Sequence, residues 1–254
     1  MRIDDPVSRA FEGKDILDPE TARRLIIESE AREGSIDDLA LDAVLGLRIA
    51  AVEGRLDTLR LLDRHGVQRF DQGDVPYDIV RAFYRALEPE IARRPALRVL
   101  DLGSGYGRFG LYGALRHGLA VRGLELVPER AYEATRAARA LGLMGLTFEA
   151  GDLLEAAWPR ADVYCMMNAV LPRLLPRVLA RLKHEARGRR IVVASVSTSN
   201  RAFAQAGWLR ELPVIAEGVA GRELRMWESS ETAVIPDKRC ALSGMTTRVG
   251  NSGP

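Results

Sequence analysis

Asp101, Glu125, Asp152 and Asn168 are the side chains of this sequence whose types and places could act together, and Gly103, Gly105 and Gly107 stand just after the first of them. Each of the four lies within, ends or closely follows a short apolar run. Carboxylates at such places accept hydrogens from hydroxyls and amines, or pair with a cation. The glycines allow a turn too tight for side chains, so backbone N–H groups can face a ligand directly. From Arg108 the pattern is helical, with Phe109, Leu111, Tyr112 and Leu115 as apolar positions, and the positive helix end adds to those donors. The combination suits a polar or anionic cofactor.

The turn also narrows which cofactor. A dinucleotide fingerprint reads Gly-x-Gly-x-x-Gly, and Arg108 stands where its third glycine belongs. A phosphate loop ending in Gly-Lys-Ser/Thr is absent. Asp101, two residues before the first glycine, would repel a pyrophosphate but suits a cation or hydroxyl and amine donors. A nicotinamide-dependent reductase is therefore disfavoured.

The elements that must position these residues follow from periodicity. Short apolar runs predict strands over Arg98–Leu102, Ala120–Glu125, 146–150, 161–167 and 188–196. Helical patterns run from Arg108 to His117-Gly118, from Pro128 to about Ala140, and over 174–186. The alternation predicts an α/β fold with a doubly wound, mostly parallel sheet and its ligand crevice outside the strand carboxyl ends. A short helix or turn is expected at 203–208, closing strands at 211–216 and 223–227, and a loose tail over 229–254 with one short strand at 232–235. Residues 1–72 read as a helical extension. A helix starts at Asp18-Pro19 and ends at Gly34, a second is capped by Ser35 and runs to about Ile49, and a third spans 56–64. Residues 50–66 are similar to the helix pair of one ankyrin repeat. No second copy follows, and a lone repeat cannot bury its own faces, so a helical pair packed on the main domain is expected. Residues 68–77 form a linker or lid, and 78–87 a further helix before Pro89 and Pro95. The expected division is thus 1–72, 73–228 and 229–254.

Within this frame Val99-Leu-Asp-Leu-Gly-Ser-Gly-Tyr-Gly107 closely resembles the first motif of the class I, seven-stranded S-adenosylmethionine-dependent methyltransferases, and agreement with the family's motif order covers about residues 75–227. The resemblance implies S-adenosylmethionine as cofactor. Asp101, Gly103, Ser104, Gly105, Tyr106 and Gly107 would lie along its amino acid and ribose parts. Glu125 would accept from the ribose hydroxyls, and Leu126 and Val127 would form one adenine wall. Asp152 would accept from the adenine amine, with the Leu153 backbone on the ring. Asn168 would sit nearest the transferred methyl. Tyr77, Tyr106 and Asn168 are the catalytic candidates on the acceptor side. The family further implies antiparallel closing strands and a lid, here Asp74-Val-Pro-Tyr77. Its reaction is an in-line displacement in a dry site, and a base is needed only if the nucleophile arrives protonated.

Two lysine-directed families look similar, the seven-stranded histone-lysine methyltransferases and the family modifying a membrane subunit of ATP synthase. The shared residues are Asp101-Leu-Gly-Ser-Gly-x-Gly-Arg108, Gly123-Leu-Glu-Leu-Val-Pro128 and Gly151-Asp-Leu153. The chain departs from the first at Met167-Asn168-Ala169, which keeps one asparagine of a pair and lacks the following aromatic residue. It departs from the second by having a polar helical region where a membrane-directed segment belongs. The Asn-Pro-Pro-Tyr motif of amide and base N-methyltransferases is also absent. A small molecule, a peptide and a protein all remain open as acceptor. The competing reading is a non-catalytic adaptor that keeps the cofactor fold.

Composition sets the surroundings. The chain has 254 residues, 47% of them hydrophobic, and a net charge of +2. That suffices for one sizeable core, and the lack of a basic excess argues against a nucleic-acid partner. Cys165 and Cys240 are too few for a disulfide framework or a zinc site, and His65, His117 and His184 are scattered, so no metal is expected. No run is long and apolar enough to span a bilayer, and the first residues lack an apolar signal core. The expectation is a cytoplasmic enzyme away from membranes, with the N-terminal helices acting in acceptor selection or forming a homodimer.

Overall fold

The computed structural model describes residues 18–31, 35–57, 59, 61, 75–213 and 223–230. Most of the expected third helix, the linker up to residue 74, the strand expected at 232–235 and Cys240 lie outside these residues.

The described chain runs α1 (Pro19–Glu30), α2 (Asp38–Val44), α3 (Ile49–Glu53), α4 (Tyr77–Arg93), β1 (Arg98–Leu102), α5 (Arg108–His117), β2 (Ala120–Glu125), α6 (Pro128–Ala140), β3 (Thr147–Ala150), β4 (Val163–Met166), a 3-10 turn (Pro172–Leu174), α7 (Leu175–Glu185), β5 (Val192–Val196), α8 (Thr198–Ala204), β6 (Leu209–Leu212) and β7 (Leu224–Ser229). The seven strands form one sheet in the order β3-β2-β1-β4-β5-β7-β6. The first five pair in parallel, while β7 is antiparallel to both β5 and β6.

Alternation along the strands sends side chains to two cores. Val99, Val121, Val163 and Cys165 face a cluster built with α4, α5 and α6. Leu100, Leu102, Tyr164 and Met166 face a second cluster closed by α7 and Phe203. β4 and β5 are buried at every residue, as parallel strands covered on both faces must be. The N-terminal helices join the first cluster, where Leu25, Ile26, Leu41, Val44 and Leu45 share a core with Val99 and Val121.

Several boundaries differ from those expected. The second helix is two, because Gly46 adopts φ +71° between α2 and α3. Its cap is Asp37, whose carboxylate accepts from the Ala40 N–H at 3.1 Å. The Ser35 hydroxyl instead donates to Asp78. α4 continues through Pro89 to Arg93. Ile91 packs on the core, and buried Glu90 accepts from Arg190 at 2.7 Å, so tertiary contacts hold the turn that proline alone would break. α8 starts at Thr198 rather than 203, and β6 ends at Leu212.

Candidate cofactor and acceptor site

The turn after β1 is built by glycines in the left-handed region, Gly103 at φ +83°, Gly105 at +52° and Gly107 at +76°. Two of them are also sterically required. A Cβ on Gly103 would lie 2.2 Å from the Ala169 Cβ, and one on Gly107 2.6 Å from the Phe148 ring. At Gly105 a Cβ would meet no protein atom within 4 Å. That residue brings bare backbone to open space, as close approach of a ligand demands.

The turn rides on the end of β2. The Leu124 carbonyl accepts from the Gly103 and Ser104 N–H groups at 2.8 and 3.0 Å. Glu125, 6% exposed, accepts from the Gly105 N–H at 2.8 Å through Oε2 and from the Val127 N–H at 3.0 Å through Oε1. Each oxygen keeps a second acceptor direction. The Gly151 N–H donates to the Glu125 carbonyl at 2.8 Å, which brings the end of β3 alongside.

Asp101 is 2% exposed and pairs in register with Cys165 of β4. Burial, with the nearby Glu125 charge, pushes its carboxyl up to about 7, against the neighbouring Cys165 thiol, which lowers it. Burial and Asp101 in turn push the thiol well up. The Ser104 hydroxyl is buried without a hydrogen-bond partner, packed over Gly123.

Asn168 and Ser197 are the non-glycine residues with positive φ among those described, at +58° and +49°. They follow β4 and β5, neighbouring strands on the far side of the turn. Such conformations cost about 1–3 kcal/mol each and persist only where surroundings enforce them. The Asn168 Oδ1 accepts from Thr198 at 3.2 Å and Ser199 at 3.3 Å, and Asn168 itself is exposed. Asp152 is exposed and closes its own turn by accepting from the Leu154 N–H at 2.8 Å. Leu153 is buried in the second core, while Leu126 is half-buried beside Glu125.

A parallel sheet closed by an antiparallel β7, with a glycine turn on β1 and a pinned carboxylate ending β2, decides the architecture. The chain has the fold of the class I S-adenosylmethionine-dependent methyltransferases. No protein-family model and no curated protein matches the sequence. Among solved structures, the chain is similar to an RNA methyltransferase from Salinibacter ruber in complex with S-adenosylhomocysteine (25% identity, 65% of this chain and 97% of that one, TM-score 0.48). It is similar as well to a SAM-dependent methyltransferase from Aquifex aeolicus (17%, 59% and 97%, TM-score 0.43). A mutant of MtNAS in complex with S-adenosylmethionine matches over 88% of this chain and 95% of that one, at 17% identity and TM-score 0.43. The Salinibacter protein is an RNA methyltransferase by its name.

Within the methyltransferase fold, two of the three catalytic candidates stand elsewhere. Tyr77 is fully buried in the helical layer, where its hydroxyl donates to Asp42 at 2.8 Å. Its backbone N–H donates to Asp38 at 2.7 Å, and the Val75 carbonyl accepts from Arg108 at 3.0 Å, so the described end of the expected lid is tied down. Tyr106 points its hydroxyl at Glu53 of α3, at 2.6 Å. Neither hydroxyl is free to serve an acceptor. Sequence reasoning missed their partners, Asp42 and Glu53, together with Arg130, because an acid on an amphipathic helix reads as a solvated one. The strained Ser197 was also missed, although Ser197-Thr-Ser-Asn200 following a strand is a signal for it. A cleft of about 410 Å³ lies along α6 and β3, lined by Tyr132, Arg136 and Arg139 among others, but not by Asp101, Gly105 or Glu125. Among the described residues no group of three metal-ligating side chains occurs, and no helix is long and apolar enough to cross a membrane.

Proposed function

We propose that this chain is an S-adenosylmethionine-dependent methyltransferase acting on a small-molecule, peptide or protein acceptor. The observation that carries the reading is the Glu125 carboxylate. It is held by the Gly105 and Val127 N–H groups, keeps a free acceptor direction on each oxygen, and stands beside a glycine that faces open space. A vicinal diol next to a backbone-lined turn fits those donors and acceptors.

When bound, the cofactor supplies an electrophilic methyl on a sulfonium. The chain's own residues then have three tasks. Glu125 takes the ribose hydroxyl hydrogens. Asp101, deep at the end of β1, offers negative charge to the cofactor's ammonium end. Asn168 presents its amide at the ends of β4 and β5, where an acceptor can approach, with its Oδ1 already fixed by Thr198 and Ser199. No side chain in this arrangement is placed as a strong base, which suits an acceptor that arrives deprotonated or loses its proton to water. Asp152 is in reach of solvent and contributes to the adenine end. The N-terminal helices are the part available for acceptor selection.

The test is transfer of a labelled methyl group from S-adenosylmethionine into small-metabolite, protein and RNA fractions, with S-adenosylhomocysteine measured in parallel. The reading expects label in the metabolite or protein fraction and one S-adenosylhomocysteine per methyl transferred. Label in RNA alone would overturn the acceptor class, and tight binding with no transfer would favour a non-catalytic adaptor. Asn168→Ala is expected to lower turnover about tenfold or more with cofactor affinity within about threefold. The reverse result would move Asn168 to the cofactor side.

A further inference from the structure

Glu53, in the helical layer that precedes the sheet, belongs to a closed ring of contacts that includes Glu125. Its Oε1 accepts from the Tyr106 hydroxyl at 2.6 Å and from Arg130 Nε at 2.8 Å, and its Oε2 accepts from Arg130 Nη2 at 3.2 Å. The side chains of Glu53 and Arg130 are 9% and 10% exposed. Tyr106 adjoins Gly105, whose N–H holds one oxygen of Glu125. The Arg130 N–H donates to the Val127 carbonyl at 3.1 Å, and the Val127 N–H holds the other oxygen. The ring therefore runs Glu53, Tyr106, Gly105, Glu125, Val127, Arg130 and back to Glu53. The Arg130 guanidinium also lies 5.9 Å from the Tyr106 ring centroid, bracing the two arms against each other.

We propose that Glu53 is a positioning residue for cofactor binding, acting through Tyr106 and Arg130 on the two peptide donors that aim Glu125. This rests on the assignment of Glu125 to the ribose. The physical case is the position of the two donors. They come from separate loops, one after β1 and one after β2, and Glu53 is bonded to Tyr106 of the first loop and to Arg130 in the first turn of α6, which follows the second. Losing the Glu53 charge leaves a nearly buried guanidinium without its carboxylate and gives the buried Tyr106 phenol a neutral amide in place of a charged acceptor. Both loops then relax, and the carboxylate that must meet two hydroxyls loses its fixed orientation. The helical layer is thereby part of the cofactor site, although none of its side chains need touch the cofactor.

A double-mutant cycle separates this role from simple support of the fold. Wild type, Glu53→Gln, Glu125→Gln and the double variant are titrated with S-adenosylhomocysteine by calorimetry, and melting is followed for each. The expected result is a loss of affinity of about tenfold for each single variant and little further loss in the double, because Glu53 acts only through Glu125. Additive losses, near a hundredfold in the double, or an unchanged affinity in Glu53→Gln would overturn the proposal. If Glu53→Gln does not fold, Tyr106→Phe cuts one arm of the same ring and is expected to show the same non-additivity with Glu125→Gln. Wild type that fails to bind would sink the cofactor reading itself, a different outcome from wild type that binds while Glu53→Gln binds equally well.

Discussion

Asp101 carries the most perturbed carboxyl of the site, and its pH behaviour follows from burial. Unfolded, it ionises near 3.8; folded, near 7. Between those values the folded state holds a proton that the unfolded state has lost, so the group's contribution to stability is full below pH 3.8 and is lost as pH rises through about 7. Asp101→Asn is expected to flatten that fall in melting temperature between pH 4 and pH 8. Pairing with a ligand ammonium favours the ionised carboxyl, so wild-type affinity for S-adenosylhomocysteine is expected to be weaker at pH 6 than at pH 8, with a proton released on binding at the lower pH. Equal affinities at both would take Asp101 out of the cofactor site. The glycines give a second contrast. Gly105 and Gly118 both have positive φ, and a Cβ at either would meet no protein atom within 4 Å. Alanine at either costs about 1–2 kcal/mol of backbone strain, but only Gly105→Ala puts the methyl in the path proposed for the cofactor. Loss of affinity in Gly105→Ala, with Gly118→Ala binding normally at similar stability, is the expected outcome. Equal affinities would show that the open side of Gly105 is not the ligand's path.

At the scale of elements, the helical layer is joined to the glycine turn by a second buried contact. Asp42 of α2 pairs with Arg108, the first residue of α5, through Arg108 Nε at 2.8 Å, and the guanidinium lies 4.9 Å from the Tyr77 ring centroid. Both side chains are below a tenth exposed. Asp42→Ala takes the carboxylate from that guanidinium, which keeps its bond to the Val75 carbonyl, and is expected to cost about 3–5 kcal/mol of stability in denaturant unfolding; a loss under about 1 kcal/mol would contradict the burial of the pair. These contacts also explain what could be read in the sequence. Asp101, the glycine turn and Glu125 were legible because strand, turn and helix follow one another along the chain, and the φ each glycine needs is a local property. Asp42 and Glu53 were not. Their partners lie 66 and 53 residues away, and nothing local marks an acid on a short helix as buried. The same reason misplaced Tyr77 and Tyr106, each near the expected site in sequence but turned toward the N-terminal layer by an acid no pattern revealed. The helix through Pro89 and the break at Gly46 show local signals outweighed by packing in one case and underweighted in the other.

The whole molecule joins a sheet read correctly in class and strand alternation to an N-terminal layer whose role sequence left open. The seven-stranded order places the carboxyl ends of the neighbouring parallel strands β2, β1, β4 and β5 along one edge of the sheet, and α1 and α2 share the core of one sheet face. Site and layer are therefore one structural unit, and the central claim is that the crevice binds S-adenosylmethionine through Glu125. The measurement that tests it most directly is calorimetric titration of wild type and Glu125→Ala with S-adenosylmethionine, S-adenosylhomocysteine and NAD. The account predicts micromolar binding of the first two by wild type, no binding of NAD, and a loss of more than tenfold in Glu125→Ala, since a hydrogen bond to a charged group contributes about 1.5–3 kcal/mol. Wild type that binds neither sulfur compound, or a Glu125→Ala variant that binds them as tightly as wild type, would contradict it.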